Sequence, residues 1–189
     1  MGAIGLILLY PVLLAFFNYE TGWDFSTLTY QDFWTIKGFV RNLFYNGFHP
    51  VLPWAAFMLF GLWFGKQDLN DDRFLKKAWK FGLLTFIIIQ IISFVFLQLF
   101  SEGNPVIVEE LKPILGTDPM PPMPIYMANG ISISVVLIST CILLAKQFEN
   151  NWLIDALHKT GQLALTFYVA HVILGMGILE EIGSLKLGE

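Results

Sequence analysis

The stretch from Tyr45 to Lys66 places the strongest constraint on the fold, because it joins a polar entry to a continuous apolar run. Pro50 and Pro53 stand in the first turn of the helix that it predicts, where a backbone N–H would have no partner within the helix. From Pro50 to Gly65 such a helix would measure about 24 Å, less than the roughly 30 Å of a bilayer core. The stretch therefore predicts a short helix that crosses a membrane.

The composition extends this prediction to the whole chain. Hydrophobic residues make up 56% of the sequence and charged residues 14%, whereas about a quarter of a soluble domain is charged. The single cysteine, Cys141, excludes a disulfide framework or a cysteine metal site within one chain. The net charge of -4 gives no reason to expect nucleic acid as a partner. We predict an integral membrane protein whose main partner is the lipid bilayer.

The fold predicted from the apolar runs is all-α, a multi-pass transmembrane helical bundle of about five spans that forms one domain over residues 1–189. The predicted spans are residues 1–17, 50–65, 81–100, 125–146 and 161–179. The first run begins almost at residue 1, without the polar or basic residues that usually precede a span, which favours a chain that is incomplete at its N-terminus.

The connections between the spans carry further predictions. Residues 29–32 have capping-box spacing and apolar residues follow at helical intervals to Phe44, which predicts an amphipathic surface helix. Residues 66–80 and 146–159 hold seven of the eleven Lys and Arg residues, so the positive-inside rule places both connections in the cytoplasm. Residues 101–124, which are acidic and rich in proline, are then predicted to form an exposed outer loop.

Two histidines are candidates for chemistry. His171 is predicted to lie about 15 Å inside the fifth span. It would either face a polar cavity, as a proton carrier or as a ligand to a bound head group, or be a neutral side chain bonded to a hydroxyl group of the fourth span. The possible hydroxyl partners are Ser132, Ser134 and Ser139. His49, at the outer mouth of the second span, would either contact a substrate at a helix N-terminus or pack against Trp54 at the interface.

Gly61 and Gly65 have the spacing of a GxxxG motif, which allows two helices to approach closely. We predict a packing role for them. The sequence contains no nucleotide-binding loop, cluster of metal ligands or serine nucleophile elbow.

Two strings together resemble the C-terminal half of the YeiB-type bacterial membrane proteins. They are RNLFYNGFHPVLPWAAFMLFGLWFGK, residues 41–66, and GQLALTFYVAHVILG, residues 161–175. The first matches that family's NG-x-[HY]-P-x-x-PW-x-x-[FY] pattern, and the second matches its G-x-[LM]-[AS]-LT-x-Y segment. The family is grouped with heparan-alpha-glucosaminide N-acetyltransferase in a superfamily of transmembrane acyltransferases.

The resemblance implies an acyltransferase of the bacterial inner (plasma) membrane. Such a protein transfers an acyl group, usually acetyl from acetyl-CoA, to an extracytoplasmic sugar-like or other small acceptor, with acyl-CoA as a co-substrate and no bound cofactor or metal. The superfamily's Arg- and Asp-rich first-helix motif and its acyl-handling histidine lie in an N-terminal half, and no such stretch precedes Met1. The resemblance therefore implies that a missing N-terminal half, or a homo-oligomer, would complete the bundle.

On this interpretation each candidate residue has an expected role. His171 and His49 are the candidate catalytic residues, since a histidine exchanges protons near neutral pH, although the family's acyl-handling histidine is not transferred to His49. The expected acceptor-binding residues are Asn46, Trp54, Tyr168 and Asn129. The expected ligands of the donor phosphates are Lys76, Lys77 and Lys80. The alternative is a non-catalytic membrane protein, either a transporter portion or an assembly partner, in which His171 and the fourth-span hydroxyl groups line a polar path.

Overall fold

A computed structural model describes residues 2–24, 27, 29–47, 50–149 and 151–174, and these residues form eight α-helices and one pair of short antiparallel strands. The helices are α1 (Gly2–Phe16), α2 (Ile36–Phe44), α3 (Val51–Gly65), α4 (Asp72–Ser101), α5 (Pro105–Leu115), α6 (Pro124–Gln147), α7 (Trp152–Gln162) and α8 (Ala164–Val172). The strands are β1 (Trp23–Asp24) and β2 (Thr29–Tyr30), with Trp23 opposite Tyr30. The predicted all-α class is confirmed for the described residues.

Two of the described helices, α4 and α6, are long and apolar enough to cross a membrane, fewer than the five spans predicted. Helices α1 and α3 are also apolar, but each has 15 residues and measures about 22 Å. The predicted fifth span, residues 161–179, is interrupted at Leu163, whose ψ of 0° separates α7 from α8. Residues 175–179 of that span lie outside the described residues.

Helix α4 begins nine residues before the predicted third span. Asp71 caps it, because its Oδ1 accepts a hydrogen bond of 2.9 Å from the backbone N–H of Arg73. The helix ends at Ser101, because Glu102 and Gly103 have positive φ angles of 50° and 78°, which a right-handed helix cannot continue through. Most of the connection predicted at residues 66–80 is therefore the first turns of α4.

Residues 101–124, predicted as an exposed loop, contain helix α5. Asn104 caps it, since its Oδ1 accepts a hydrogen bond of 3.0 Å from the N–H of Val106, and Pro105 occupies the first turn, where its missing N–H costs nothing. Helix α5 packs against α4, and Ser93 Oγ of α4 donates a hydrogen bond of 2.8 Å to the Leu115 carbonyl at the other end of α5. The segment therefore folds back along α4.

Helix α2 is present, but its predicted capping box is wrong. Thr35 is the cap, because its Oγ1 accepts a hydrogen bond of 3.0 Å from the N–H of Gly38, whereas residues 29–30 belong to β2. Gly38 and Asn42 form the buried face of the helix. The exposed face carries Ile36, Phe39, Val40, Leu43 and Phe44. The apolar side of α2 therefore points away from the rest of the chain.

The chain divides into two compact units, Met1–Cys141 and Ile142–Glu189. In the first unit α1 packs along α3, and a small core forms around Tyr10, Tyr19 and Trp23. Helix α6 contacts α3 through Tyr126, whose ring centroid lies 5.9 Å from that of Trp54. In the second unit α7 is followed directly by α8.

The close approach between α4 and α6 occurs at Gly82, a position that the sequence does not single out. A Cβ atom at Gly82 would lie 3.0 Å from the carbonyl oxygen of Ser132. By contrast, a Cβ atom at Gly61 or Gly65 would meet nothing within 4 Å among the described residues. The predicted packing role of the GxxxG spacing is therefore not seen in this part of the chain.

Candidate functional site

Asn46 lies at the centre of a folded cap that residues 18–24 and 29–47 form beside the C-terminal end of α1 and the N-terminal end of α3. Its side chain is fully buried, and its Nδ2 donates hydrogen bonds of 2.8 Å to the carbonyls of both Tyr19 and Thr21. Both amide hydrogens are therefore used by the chain itself. The Oδ1 atom of Asn46 is buried and makes no hydrogen bond within the described residues. Only this acceptor is left for a substrate or for a water molecule.

Tyrosine hydroxyl groups hold the cap to the end of α1. Tyr19 Oη donates to the Gly47 carbonyl at 3.3 Å, Tyr10 Oη donates to the Tyr45 carbonyl at 3.1 Å, and Tyr45 Oη donates to the Phe17 carbonyl. Burial raises the pKa of Tyr19 to about 12, and burial also raises the pKa of Tyr45. Both phenols therefore remain protonated hydrogen-bond donors at neutral pH, and neither is poised to act as a base.

Gly47 closes this cap where a larger residue would not fit. Its φ is 104°, and a Cβ atom there would lie 2.3 Å from the ring of Tyr30. The candidate catalytic residue that follows, His49, lies outside the described residues. Asn46 and Gly47 of the first resemblance string therefore have structural roles in the cap. The role of His49 stays a prediction.

Two amide side chains meet where the second turn of α6 lies beside the central part of α4. Gln90 Nε2 of α4 donates a hydrogen bond of 3.1 Å to Asn129 Oδ1 of α6, and Gln90 is exposed. Asn129, one of the predicted acceptor-binding residues, therefore has a polar neighbour that the sequence analysis did not include in the site. Gln90 could have been selected from the sequence, because it is an isolated amide in an apolar run, and a polar group inside a span usually has a partner or a function.

Trp54 lies next to this region on α3. Its indole ring is half-buried and packs against the rings of Phe57 and Tyr126. Phe57 in turn lies close to Gly130 of α6. Trp54 and Asn129 are thus on neighbouring helices of the same unit, while Asn46 lies in the cap, beyond the N-terminal end of α3.

The three lysines predicted to bind donor phosphates lie on the first turns of α4. Lys76 and Lys80 are one helical turn apart and Lys77 lies beside them, so the three share one side of the helix. All three side chains are exposed. They are at the opposite end of α4 from Ser101 and the adjoining helix α5.

His171 and Tyr168 belong to α8 in the second unit. Their ring centroids lie 5.2 Å apart in an edge-to-face arrangement, and both side chains are exposed. Of the hydroxyl groups predicted as alternative partners of His171, those of Ser132 and Ser134 bond to carbonyls of their own helix at 2.8 and 2.7 Å. Ser139 Oγ is buried and makes no hydrogen bond within the described residues. His171 and Tyr168 therefore form one pair within α8.

A small open pocket of about 320 Å³ lies where α6 ends and α7 begins. It is lined by Lys146, Gln147, Phe148, Glu149 and Asn151, none of which the sequence analysis selected. No group of three or more His, Cys, Asp or Glu side chains that could hold a metal ion occurs in the part of the chain that the structure describes.

Comparison with known proteins finds one family. Residues 62–188 match the model of a family described as protein of unknown function, DUF418. The match covers the second resemblance string and α4 to α8, but only the last residues of the first string. Neither the curated proteins nor the solved structures contain a significant match.

Proposed function

Because the chain belongs to DUF418, a family of YeiB-type membrane proteins, we propose that it is a multi-pass protein of the bacterial inner membrane that takes part in acyl transfer. Acyl-CoA, in the simplest case acetyl-CoA, is the donor, and an extracytoplasmic sugar-like or other small molecule is the acceptor. The chain supplies the C-terminal portion of the bundle, and an N-terminal half or a second copy completes it. The proposed kinship with heparan-alpha-glucosaminide N-acetyltransferase rests on the two resemblance strings, residues 41–66 and 161–175.

The observation that carries this proposal is the group of three exposed lysines on one side of α4. Acyl-CoA carries several phosphate charges, and lysine side chains bind phosphate as mobile point charges. Lys76, Lys77 and Lys80 lie at the end of α4 that the positive-inside rule assigns to the cytoplasm, where acyl-CoA is made.

The acceptor side of the proposal rests on polar groups at the other end and in the middle of the bundle. Asn129 and Trp54 lie on adjacent helices, and the buried Oδ1 of Asn46 keeps one acceptor free. An amide beside aromatic rings suits a hydroxylated ligand, because the amide hydrogen-bonds hydroxyl groups and the rings cover its apolar faces. We propose His171 and His49 as general bases for acyl transfer.

A second function is favoured by the amide pair alone. Gln90 and Asn129 are uncharged and lie within the apolar helices α4 and α6, where Gln90 is exposed and Asn129 is half-buried. Such a pair suits a polar path through a transporter portion, or a contact with an assembly partner, as well as it suits an acceptor site. Neither of these roles requires acyl-CoA.

Binding of acetyl-CoA to the detergent-purified chain, measured by calorimetry, tests the proposal. We expect saturable binding that weakens at least about tenfold in a variant with Lys76→Ala, Lys77→Ala and Lys80→Ala, since each lost phosphate contact removes a charge-assisted bond. The matched control carries Lys37→Ala, Lys112→Ala and Lys159→Ala, which also remove three positive charges but none from α4. We expect this control to bind as the wild type does.

Two results contradict the proposal. Equal weakening in both variants would mean that binding follows net charge and not a site on α4. Absence of binding to a monodisperse wild-type sample would favour the transporter or assembly function.

A further inference from the structure

Helix α5 and the residues that follow it occupy an unusual position relative to α4. The apolar body of α4 extends to Phe100, and the helix ends at Ser101. Helix α5 starts at Pro105, beside that end, and runs back along α4 until the Leu115 carbonyl accepts the hydrogen bond from Ser93 Oγ. Ser93 lies eight residues before Ser101, which corresponds to about 12 Å along the helix. The C-terminal end of α5 therefore lies well inside the apolar length of α4.

The start of α6 lies at a similar depth. Helices α4 and α6 are antiparallel, because Trp79 Nε1 bonds Thr140 Oγ1 at 2.9 Å while Gln90 Nε2 bonds Asn129 Oδ1 at 3.1 Å. Pro124, the first residue of α6, precedes Asn129 by five residues, or about 7.5 Å. Residues 116–123 thus connect two points that both lie within the apolar length of α4.

These connecting residues are not helical and are not sealed inside the protein. Pro122 is fully buried, whereas the side chains of Thr117 and Asp118 are half-buried. At the depth of a bilayer core, irregular backbone is tolerated only where protein buries it or where it lines a water-filled cavity. A carboxylate such as that of Asp118 is costly against lipid chains. Water beside this segment would hydrate both the irregular backbone and the carboxylate of Asp118.

The sequence of the segment agrees with such a position. Four of the nine residues from Gly116 to Pro124 are prolines, which have no backbone N–H to satisfy. Gln90 lies three residues before Ser93 on α4, and its amide donates one hydrogen bond to the amide oxygen of Asn129. The other polar atoms of the two amides make no hydrogen bond within the described residues, so they remain available to water or to a solute.

We propose that α5 and residues 116–123 form a re-entrant element that lines a water-filled vestibule, open on the side of the membrane where α4 ends. The vestibule admits small hydrophilic molecules to the level of Ser93, with the Gln90 and Asn129 amides as its floor. This inference concerns access to the bundle and does not depend on acyl transfer. It holds or fails separately from the binding of acyl-CoA.

Cysteine accessibility in membrane vesicles tests the vestibule. In a Cys141→Ser background, single cysteines are introduced as Thr117→Cys and Asp118→Cys, and each is treated with a small, charged, membrane-impermeant thiosulfonate. Val106→Cys marks the side on which α4 ends, because Val106 is 65% exposed in the first turn of α5. Phe94→Cys is the matched control for depth, since Phe94 follows Ser93 directly and is 64% exposed on a face of α4 turned away from it.

We expect the cysteines at positions 117 and 118 to react from the same side as the cysteine at 106, within about tenfold of its rate. The cysteine at 94 should react at least about a hundredfold more slowly, because a thiol surrounded by lipid forms little thiolate. Gel filtration confirms that each variant remains monodisperse. Unreactive cysteines at 117 and 118, reaction from the opposite side only, or equal reaction of the cysteine at 94 would each overturn the proposal.

Discussion

At the scale of single residues, Asn46 shows why a residue in a motif can be structural. Both hydrogens of its Nδ2 bond the carbonyls of Tyr19 and Thr21 inside a buried cap. In an Asn46→Asp variant a carboxylate oxygen would replace Nδ2, so the carbonyl oxygens of Tyr19 and Thr21 would lose their hydrogen-bond donor. We expect a loss of about 2–4 kcal/mol in stability, because each buried unsatisfied group costs about 1–3 kcal/mol. Thermal unfolding in detergent, followed by tryptophan fluorescence, measures this loss.

Asn18→Asp is the matched control for this prediction. Asn18 Oδ1 accepts a hydrogen bond of 2.9 Å from the N–H of Glu20, and an aspartate keeps that acceptor. We expect its unfolding midpoint to stay close to that of the wild type. Equal midpoints for both variants would show that the amide of Asn46 is free, as a purely substrate-binding role requires.

The sequence could predict where Asn46 lies but not what it bonds. Its position before Pro50 marks the entry to a helix, because proline restricts the residues around a helix start. Its partners, Tyr19 and Thr21, are more than twenty residues away and belong to an irregular loop without periodicity. No local pattern predicts such a contact. The hydrogen bond between Gln90 and Asn129 could not be predicted locally either, because it depends on the packing of α4 against α6.

At the scale of helices, the contact between α4 and α6 depends on Gly82. Its absent side chain leaves room for the Ser132 carbonyl and for Val135 and Val136. Gly82→Leu would force the two helices apart, and we expect it to destabilise the bundle by about 1–3 kcal/mol, as overpacking usually does. The matched control is Gly61→Leu, because a Cβ atom at Gly61 meets nothing within 4 Å.

Thermal unfolding of the two glycine variants in detergent tests whether the close helix contact is at Gly82 or at the GxxxG spacing of Gly61 and Gly65. A lower midpoint for Gly82→Leu with an unchanged one for Gly61→Leu agrees with the structure. The reverse order would mean that the GxxxG spacing, and not Gly82, makes the close helix contact.

Helix α5 shows which local signals were readable and which were not. Asn104 followed by Pro105 is a typical helix start, and the structure uses both residues in this way. Pro113 inside the segment and the proline run after it favoured an extended loop instead. The hydrogen bond from Ser93 to the Leu115 carbonyl stabilises the helix end from another element. Tertiary contacts of this kind override local propensity, which is a weak guide to short helices.

At the scale of the whole molecule, the sequence predicted the class of protein better than the number of crossings. Composition alone separates an apolar helical protein from a soluble one, because it sums over the entire chain. Counting spans requires boundaries, and these were set by caps such as Asp71 and by the break at Leu163. Helices α4 and α6 have the length for a crossing, whereas α1 and α3 reach only about 22 Å.

The last prediction is that α1 and α3 cross the membrane in spite of their length. They pack along each other, carry no charged residue, and expose large apolar side chains such as Leu8 and Leu62, which suits contact with lipid. A bilayer accommodates a short helix by local thinning at a modest cost per ångström. Reporters fused after Gly22, Asn70 and Gly103 should therefore lie on alternating sides of the membrane. We expect a phosphatase, which works only outside the cytoplasm, to be active at 22 and 103, and a fluorescent protein that works only in the cytoplasm to be active at 70. Each junction is made with both reporters, so that every silent fusion has an active counterpart. Phosphatase activity at both 22 and 70 would mean that α3 does not cross, and the cap around Asn46 would then share a side with the lysines of α4.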